Sequence, residues 1–381
     1  MHGAYLDNNA TTPLDPRVLA AMHEFQRTVF GNPSSVHAYG RLARRHVEDA
    51  RRKVAALVGS SEREVVFTSS GTEANNHAVF GLLERAPKDR RAVVAAPIEH
   101  PSVLAALDRA ARSGVEIRWM PVRSDGRVDI ERSRDLVRDD VAFAALMLVN
   151  NETGVVQPVE EWSTICAAHG VPLHVDAVQA AGKMSVRFAT LGAATLALSA
   201  HKIHGPKGVG ALVVKGGVRL APFLVGGGQE RDRRAGTENM VGIVGFGVAA
   251  ELAEAEGEDR RRKTAALSAR LLEGVASVWP EAVLHGSEAE RVPGTLNLRF
   301  SGFLGETLLM NFDLRGVAVS LGSACSSGSI EPSHVLEAMG LTIEENLSSI
   351  RVSIASTNDD GDVARFVAAL AEIRAQKIRA T

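Results

Sequence analysis

The residues with the most chemical promise stand in two short stretches, Ser199-Ala200-His201-Lys202 and Gly322-Ser323-Ala324-Cys325-Ser326-Ser327-Gly328. A lysine amine can form a Schiff base with a carbonyl group, and Ser199 and His201 flank this one with polar atoms. Lys207 competes for that role, but Gly205-Pro206-Lys207-Gly208 reads as a tight turn, so Lys202 is preferred. Serine, glycine and alanine surround Cys325, a composition that favours a loop over a packed core. A thiolate there could meet a bound substrate. The competing reading is a small buried hydrophobe. The other cysteine, Cys166, lies in a helical stretch before His169-Gly170 and reads as structural.

Three further groups could serve the same chemistry. Thr68-Ser69-Ser70-Gly71-Thr72-Glu73-Ala74 joins an apolar strand to a helix that begins near Glu73. Unpaired amides at a helix amino terminus point toward an incoming anion; Gly71 admits close backbone approach and Thr72 adds a hydroxyl. A plain helix cap would use the same residues, and the motif is neither a Walker loop nor a dinucleotide fingerprint. Asp176 follows an apolar strand at 171–175, with Gln179 one helical turn further on. A carboxylate there could hold the protonated ring nitrogen of pyridoxal phosphate, with Gln179 donating to the ring oxygen. His100, after Glu99, follows another strand, where an imidazole could stack on the ring or shuttle protons. Taken singly, Asp176 reads as a helix cap and His100 as a packed or surface histidine. Four compatible groups at four strand ends read as a cofactor site, and no set of metal ligands is read.

The elements that must position these groups alternate regularly. Strands are expected at 64–68, 91–96, 141–149 and 172–175, and helices at 101–111, at 159–169 and after Asp176. This alternation predicts a mainly parallel sheet with helices on both faces, and ligands beyond the carboxyl ends of its strands. Thr68, Asn150 and Asp176 occupy such ends. The apolar run at 191–200 is interrupted by Gly192, Thr195 and Ser199, so it reads as a buried strand rather than a membrane helix. A long helical region is expected at 240–276 and a strand at 294–300, which places a smaller α+β carboxyl-terminal domain after about residue 250. With 381 residues, 45% apolar and 23% charged, the chain is ordinary for a soluble globular protein. A net charge of -2 gives no support to broad polyanion binding, and the basic run Arg231-Asp232-Arg233-Arg234 is flanked by Glu230 and Glu238. Direct nucleic-acid binding is not expected. Two cysteines make no disulfide framework, and no apolar leader precedes Asp7-Asn8-Asn9, so a cytoplasmic location without membrane association is expected.

The chain resembles the cysteine desulfurases of the fold-type I aminotransferase superfamily, in their housekeeping and nitrogen-fixation branch. The matching segments include Tyr5-Leu6-Asp7-Asn8-Asn9-Ala10-Thr11-Thr12, Gly31-Asn32-Pro33-Ser34-Ser35-Val36-His37 and Ser70-Gly71-Thr72-Glu73-Ala74-Asn75-Asn76. Glu99-His100, Asn150-Asn151-Glu152-Thr153-Gly154, Asp176-Ala177-Val178-Gln179 and Ser199-Ala200-His201-Lys202 follow in order. Gly227-Gly228-Gln229-Glu230 and Gly322-Ser323-Ala324-Cys325 complete a set that spans nearly the whole chain.

The resemblance implies an α/β fold of the fold-type I pyridoxal-phosphate class. Residues 1–15 would associate with the small domain, 16–250 would form a large three-layer cofactor domain, and 251–381 a small α+β domain with the Cys325 loop. It assigns Lys202 to the Schiff base, His100 to stacking and proton transfer, and Asp176 to the pyridine nitrogen. Gln179 and Asn151 would lie near the ring oxygen or the substrate, and Gly71, Thr72, Ser199 and His201 would hold the phosphate. Such enzymes are homodimers, in which Thr237 would reach the phosphate in the neighbouring subunit. Arg351, in Ser348-Ser349-Ile350-Arg351, matches the position that grips the substrate carboxylate, a task suited to the guanidinium fork. The implied reaction converts L-cysteine to L-alanine and leaves the sulfur on Cys325 as a persulfide. The acceptor is expected to be an iron–sulfur scaffold, ahead of tRNA thiolation, cofactor synthesis and DNA phosphorothioation. Another pyridoxal-phosphate lyase or aminotransferase would use the same pocket without needing Cys325. A sulfur carrier without catalysis would leave Lys202 and Asp176 without a purpose. Ser353-Ile354-Ala355-Ser356 departs from the family's serine, leucine, glycine, arginine run.

Overall fold

The computed structural model describes residues 3–321 and 331–380. Among them the strands follow one another as β1 (Ala4–Tyr5), β2 (Val65–Thr68), β3 (Ala92–Ala95), β4 (Glu116–Trp119), β5 (Val141–Ala145) and β6 (Leu173–Asp176). Then come β7 (Thr195–Ser199), β8 (Gly210–Val214), β9 (Val283–Leu284), β10 (Thr295–Arg299), β11 (Val317–Ala318) and β12 (Ser349–Ser353). The main sheet has the order β2-β8-β7-β6-β5-β3-β4. Its neighbours are parallel except around β8, which is antiparallel to both β2 and β7. Two reversals restore the direction of β2, so the carboxyl ends of β2, β7, β6, β5 and β3 share one edge. Thr68, Ser199 and Asp176 end their strands there.

Strands β3 and β5 are apolar throughout because both faces are covered. Val93 and Ala95 pack with Val79 and Leu82 of α3 (Gly71–Arg85) and with Val103 and Leu107 of α4 (Pro101–Arg112). Their alternates Ala92 and Val94 enter the largest core, with Trp162 and Phe246, as the two-residue strand period requires. This gives three layers. A second sheet, ordered β12-β10-β9 and antiparallel, has its own core. That core joins Leu298 and Ile350 to Leu271, Phe312 and Phe366, and it also takes Ala4 and Leu6 from the start of the chain. No described helix is long and apolar enough to cross a membrane.

The structure corrects three local expectations. Residues after Asp176 form turns, not a helix, because Gly182 adopts a φ of 77°. A Cβ at Gly182 would also lie 2.8 Å from Ile203 Cγ2. The helical region at 240–276 is two helices, Met240–Ala255 and Gly257–Val278, broken at Glu256, where φ is -104° and ψ is 2°, just before the poor helix former Gly257. The first serves the large core and the second contributes Leu267 and Leu271 to the other. Finally, β5 stops at Ala145, although Leu146 and Leu148 still donate to the His174 and Asp176 carbonyls of β6.

Candidate active site

One end of the site is built by the entry into α3. Ser70 caps that helix by accepting the Glu73 N–H at 3.1 Å, and the Glu73 carboxylate accepts the Ser69 N–H at 2.8 Å. Arg234 reaches in to pair with Glu73 at 2.8 Å. The first helical amides, at Gly71 and Thr72, have no carbonyl a turn earlier in the helix to bind. A Cβ on Gly71 would stand 2.9 Å from Val178 Cγ2 and 3.3 Å from Ser199 Cβ, so only glycine lets the backbone line this wall closely. The Ser199 hydroxyl is buried and has no hydrogen-bond partner among the described residues. His201 is tied through Nδ1 to Thr11 Oγ1 at 3.1 Å. Burial, with the Lys202 charge beside it, pushes the His201 imidazole down to about 4, so it offers a neutral ring.

At the other end, Asp176 stands on the last residue of β6. Its Oδ1 accepts the Val178 N–H at 2.9 Å and its Oδ2 accepts Asn75 Nδ2 at 2.7 Å. His100 caps α4 by accepting the Ser102 N–H at 3.1 Å through Nδ1. Lys202 follows β7 in a single 3-10 turn and donates to the Asn9 and Ala10 carbonyls, the latter at 2.8 Å. Burial and the nearby Arg351 charge lower its amine to about 8, against a smaller upward pull from Asp176 and Asp7. Gln179 donates to the Asn9 carbonyl at 3.0 Å and accepts from Lys183.

One cavity of about 240 Å³ gathers these groups. Gly71, Thr72, Ser199 and His201 line its α3 end, and Asn151, Gln179, His100, Asp176 and Lys202 line the rest. Two expected residues are elsewhere. Arg351 does not line this cavity: it donates to Asp7 Oδ1 at 2.8 Å and to the Asn151 carbonyl at 3.2 Å, while its Nε is buried without a partner among the described residues. Thr237 is exposed and lines a separate depression with Arg234 and Asn239. Cys325 lies outside the described residues; Ser320, five residues before it, exchanges backbone hydrogen bonds with Arg351.

The structure adds residues to which sequence reasoning assigned no role. Asn75, Ser102 and His174 form a hydrogen-bonded group beneath Asp176 and His100. The strand period carried a signal for His174, which is two residues from Asp176 and so on the same face of β6. Asn75 is one helical turn past Thr72, a spacing that could have flagged it too. Nothing local announced Asp7 as the partner of Arg351. Asn150, expected at a strand end beside a ligand, instead closes its own turn by accepting the Glu152 and Thr153 N–H groups.

An anion at the amino end of α3 would give the orphaned Ser199 hydroxyl its missing partner. A ring placed between His100 and Val178 would meet the Asp176 carboxylate, with the Lys202 amine within the same walls. Pyridoxal phosphate fits this donor set, being an anion, a basic ring nitrogen and an amine-reactive aldehyde in one molecule. Similarity to known proteins points the same way. A cysteine desulfurase of Nostoc sp. is 41% identical over 376 residues, covering 99% of this chain and 94% of that protein. The solved structure of a NifS-like protein superposes with a TM-score of 0.92 at 36% identity, covering 98% of this chain and 99% of that one. A structure described as SspA in complex with cysteine gives a TM-score of 0.83 at 30% identity, over 93% and 100% of the two chains. The aminotransferase class-V pattern matches residues 4–366, and the chain belongs to that family.

Proposed function

We propose that this protein is a pyridoxal-phosphate-dependent cysteine desulfurase that converts L-cysteine to L-alanine and takes the sulfur onto Cys325. The observation that carries the reading is the convergence of Lys202, Asp176 and the unpartnered Ser199 hydroxyl on one cavity. The family and the full-length likeness to a protein named cysteine desulfurase support it.

When bound, pyridoxal phosphate supplies an aldehyde that bonds reversibly to amines and an electron sink for the carbon beside the bound nitrogen. Gly71, Thr72, Ser199 and His201 hold its phosphate, Asp176 its ring nitrogen, and Gln179 and Asn151 face its ring oxygen and the substrate. Lys202 carries the amine, and its lowered pKa keeps a useful fraction uncharged near neutrality, as a proton acceptor must be. Arg351 takes the substrate carboxylate in place of Asp7, its present partner. The Cys325 thiolate attacks the substrate sulfur, so a sulfur–sulfur bond forms as the carbon–sulfur bond breaks. The three-carbon fragment gains a proton at the former sulfur-bearing carbon, recovers one at its α-carbon in place of the proton that Lys202 removed, and leaves as alanine. Cysteine and enzyme thiol become alanine and enzyme persulfide, with no outside oxidant. Two chains assemble as a homodimer in which Thr237 completes the neighbour's phosphate site. The persulfide passes to an acceptor protein, which we place in iron–sulfur cluster assembly.

The test is incubation of the holoenzyme with sulfur-labelled L-cysteine, followed by peptide mass spectrometry and alanine quantification. Labelled sulfur on the Cys325 peptide in step with alanine is the expected result. Cofactor binding without either product would replace this reading with another lyase or an aminotransferase.

A further inference from the structure

We infer that Ser102, held by Asn75 and through it by Asp176, fixes the tautomer of His100, so that this histidine presents an N–H and not a lone pair to the cavity. An ionised Asp176 can only accept, so the Asn75 amide must turn its nitrogen toward Oδ2 at 2.7 Å. The reverse orientation would set two acceptor oxygens against each other at that distance. The same nitrogen lies 2.8 Å from Ser102 Oγ, which takes its second hydrogen. Asn75 Oδ1 then accepts from His174 Nε2 at 3.0 Å. Burial holds the His174 pKa down to about 4, so the ring carries that one proton and its Nδ1 accepts from Thr195 Oγ1 at 2.9 Å.

The Ser102 backbone N–H, which cannot reverse, points to His100 Nδ1 at 3.1 Å, so that nitrogen presents a lone pair. The Ser102 hydroxyl, whose oxygen accepts from Asn75 through one lone pair, gives its hydrogen to the same nitrogen at 2.8 Å. Two donors on one ring nitrogen require a lone pair there, and the single proton of a neutral imidazole must sit on Nε2. No described residue bonds Nε2, and His100 lines the cavity. The charged and titratable groups that face this ring are Asp176, Lys202, His334 and Arg351, and burial weighs most heavily against its charged form.

The consequence divides the proton work of the site, and it rests on the proposed function. His100 enters turnover able to give a proton or a hydrogen bond from Nε2 and unable to take one there. Charging the ring would mean protonating Nδ1 against two donors. Removal of the substrate α-proton then falls to Lys202. Asn75 and Ser102 are positioning residues for this arrangement, being two links away from the reacting atoms.

The experiment is nitrogen-15 NMR of histidine-labelled holoenzyme, with the His100 signals identified by their loss in His100→Gln. A proton on Nε2 and none on Nδ1 at neutral pH is expected; an Nδ1–H tautomer or an imidazolium would overturn the inference. Ser102→Ala keeps the backbone N–H but deletes one donor, so the pH at which His100 charges should rise by about one unit. Asn75→Ala should shift it in the same direction, and the double variant should do no more than Ser102→Ala alone. Additive shifts would overturn the relay. Movement of the His100 signals on loading apoprotein with pyridoxal phosphate tests the site separately. A silent His100 with the expected tautomer would sink the cofactor reading and leave the proton assignment standing.

Discussion

Glu99 immediately precedes His100 but faces inward. Its Oε1 accepts the Met147 N–H at 2.7 Å, while Oε2 is buried without a partner among the described residues. Burial pushes its carboxyl up to about 8, and the Asp176 charge adds to the effect. The folded chain therefore holds this proton more tightly than the unfolded chain, whose glutamate titrates near 4.5. Between those two values the unfolded state has released the proton and the folded state has kept it. Stability then falls as pH rises, by about 1.4 kcal/mol per pH unit, and the loss is complete above the folded pKa. Glu99→Gln keeps an oxygen for Met147 and removes the titration. Urea unfolding of both proteins at pH 6 and pH 8 should show the variant gaining about 2 kcal/mol on the native chain over that interval. A parallel pH dependence in the two proteins would show that Glu99 is ionised in the fold.

At the scale of elements, α2 (Ala38–Leu57) is joined to the short segment Gln229–Asp232 by a buried ion pair. Arg51 donates to both Glu230 oxygens at 2.7 and 2.8 Å, and the two side chains are 3% and 2% exposed. Glu230 also accepts the Phe67 N–H, and Arg51 donates to the Val65 carbonyl, so the pair grips β2 just before the anion-binding turn. It also holds Glu230, Arg231 and Asp232 at φ values of 48°, 59° and 62°, a left-handed run that non-glycine residues resist. Removing one partner strands a buried charge. Arg51→Met should cost about 3–5 kcal/mol in urea unfolding, and a Glu230→Leu change added to it should recover part of that loss. Further loss in the double variant would show that the pair is not the support of this segment. The sequence carried the sheet well, because strands covered on both faces, such as β3 and β5, are written as unbroken apolar runs. Lys202, Asp176, His100 and the anion turn were legible because each ends a strand or begins a helix. The Arg51–Glu230 pair was not, since its members are far apart in sequence and each alone resembles a surface charge. The helix expected after Asp176 failed for a tertiary reason: Gly182 must turn close against Ile203, and local propensity does not register that contact.

Across the whole molecule, residues 7–12 act as a strap between the two sheets. Asp7 and Asn8 belong to the smaller side: Asp7 bridges to Ser353 and pairs with Arg351, and Asn8 donates to the Ser353 carbonyl and to Asn358. Asn9 faces both ways. Its side chain donates to Thr295 Oγ1 on β10 and to the Asn151 carbonyl, both at 3.0 Å, and accepts from Lys183. Its carbonyl receives both Lys202 and Gln179. The strap thus couples the sheet that carries Arg351 to the walls of the Lys202 cavity, and one substitution can separate the two duties. Asn8→Ala and Asn9→Ala each delete buried side-chain hydrogen bonds, so each should lower stability, by about 1–3 kcal/mol. Only Asn9→Ala leaves Lys183 with Gln179 as its one remaining partner of the two and loosens the segment whose carbonyls hold Lys202 and Gln179. Fluorescence titration of the apoproteins with pyridoxal phosphate should therefore find affinity about tenfold weaker in Asn9→Ala, equivalent to the loss of one well-made hydrogen bond. Asn8→Ala should bind as the native chain does. Equal weakening in both variants would mean that the cavity responds to general loosening between the sheets, and native affinity in Asn9→Ala would mean that Lys202 and Gln179 are held without the strap.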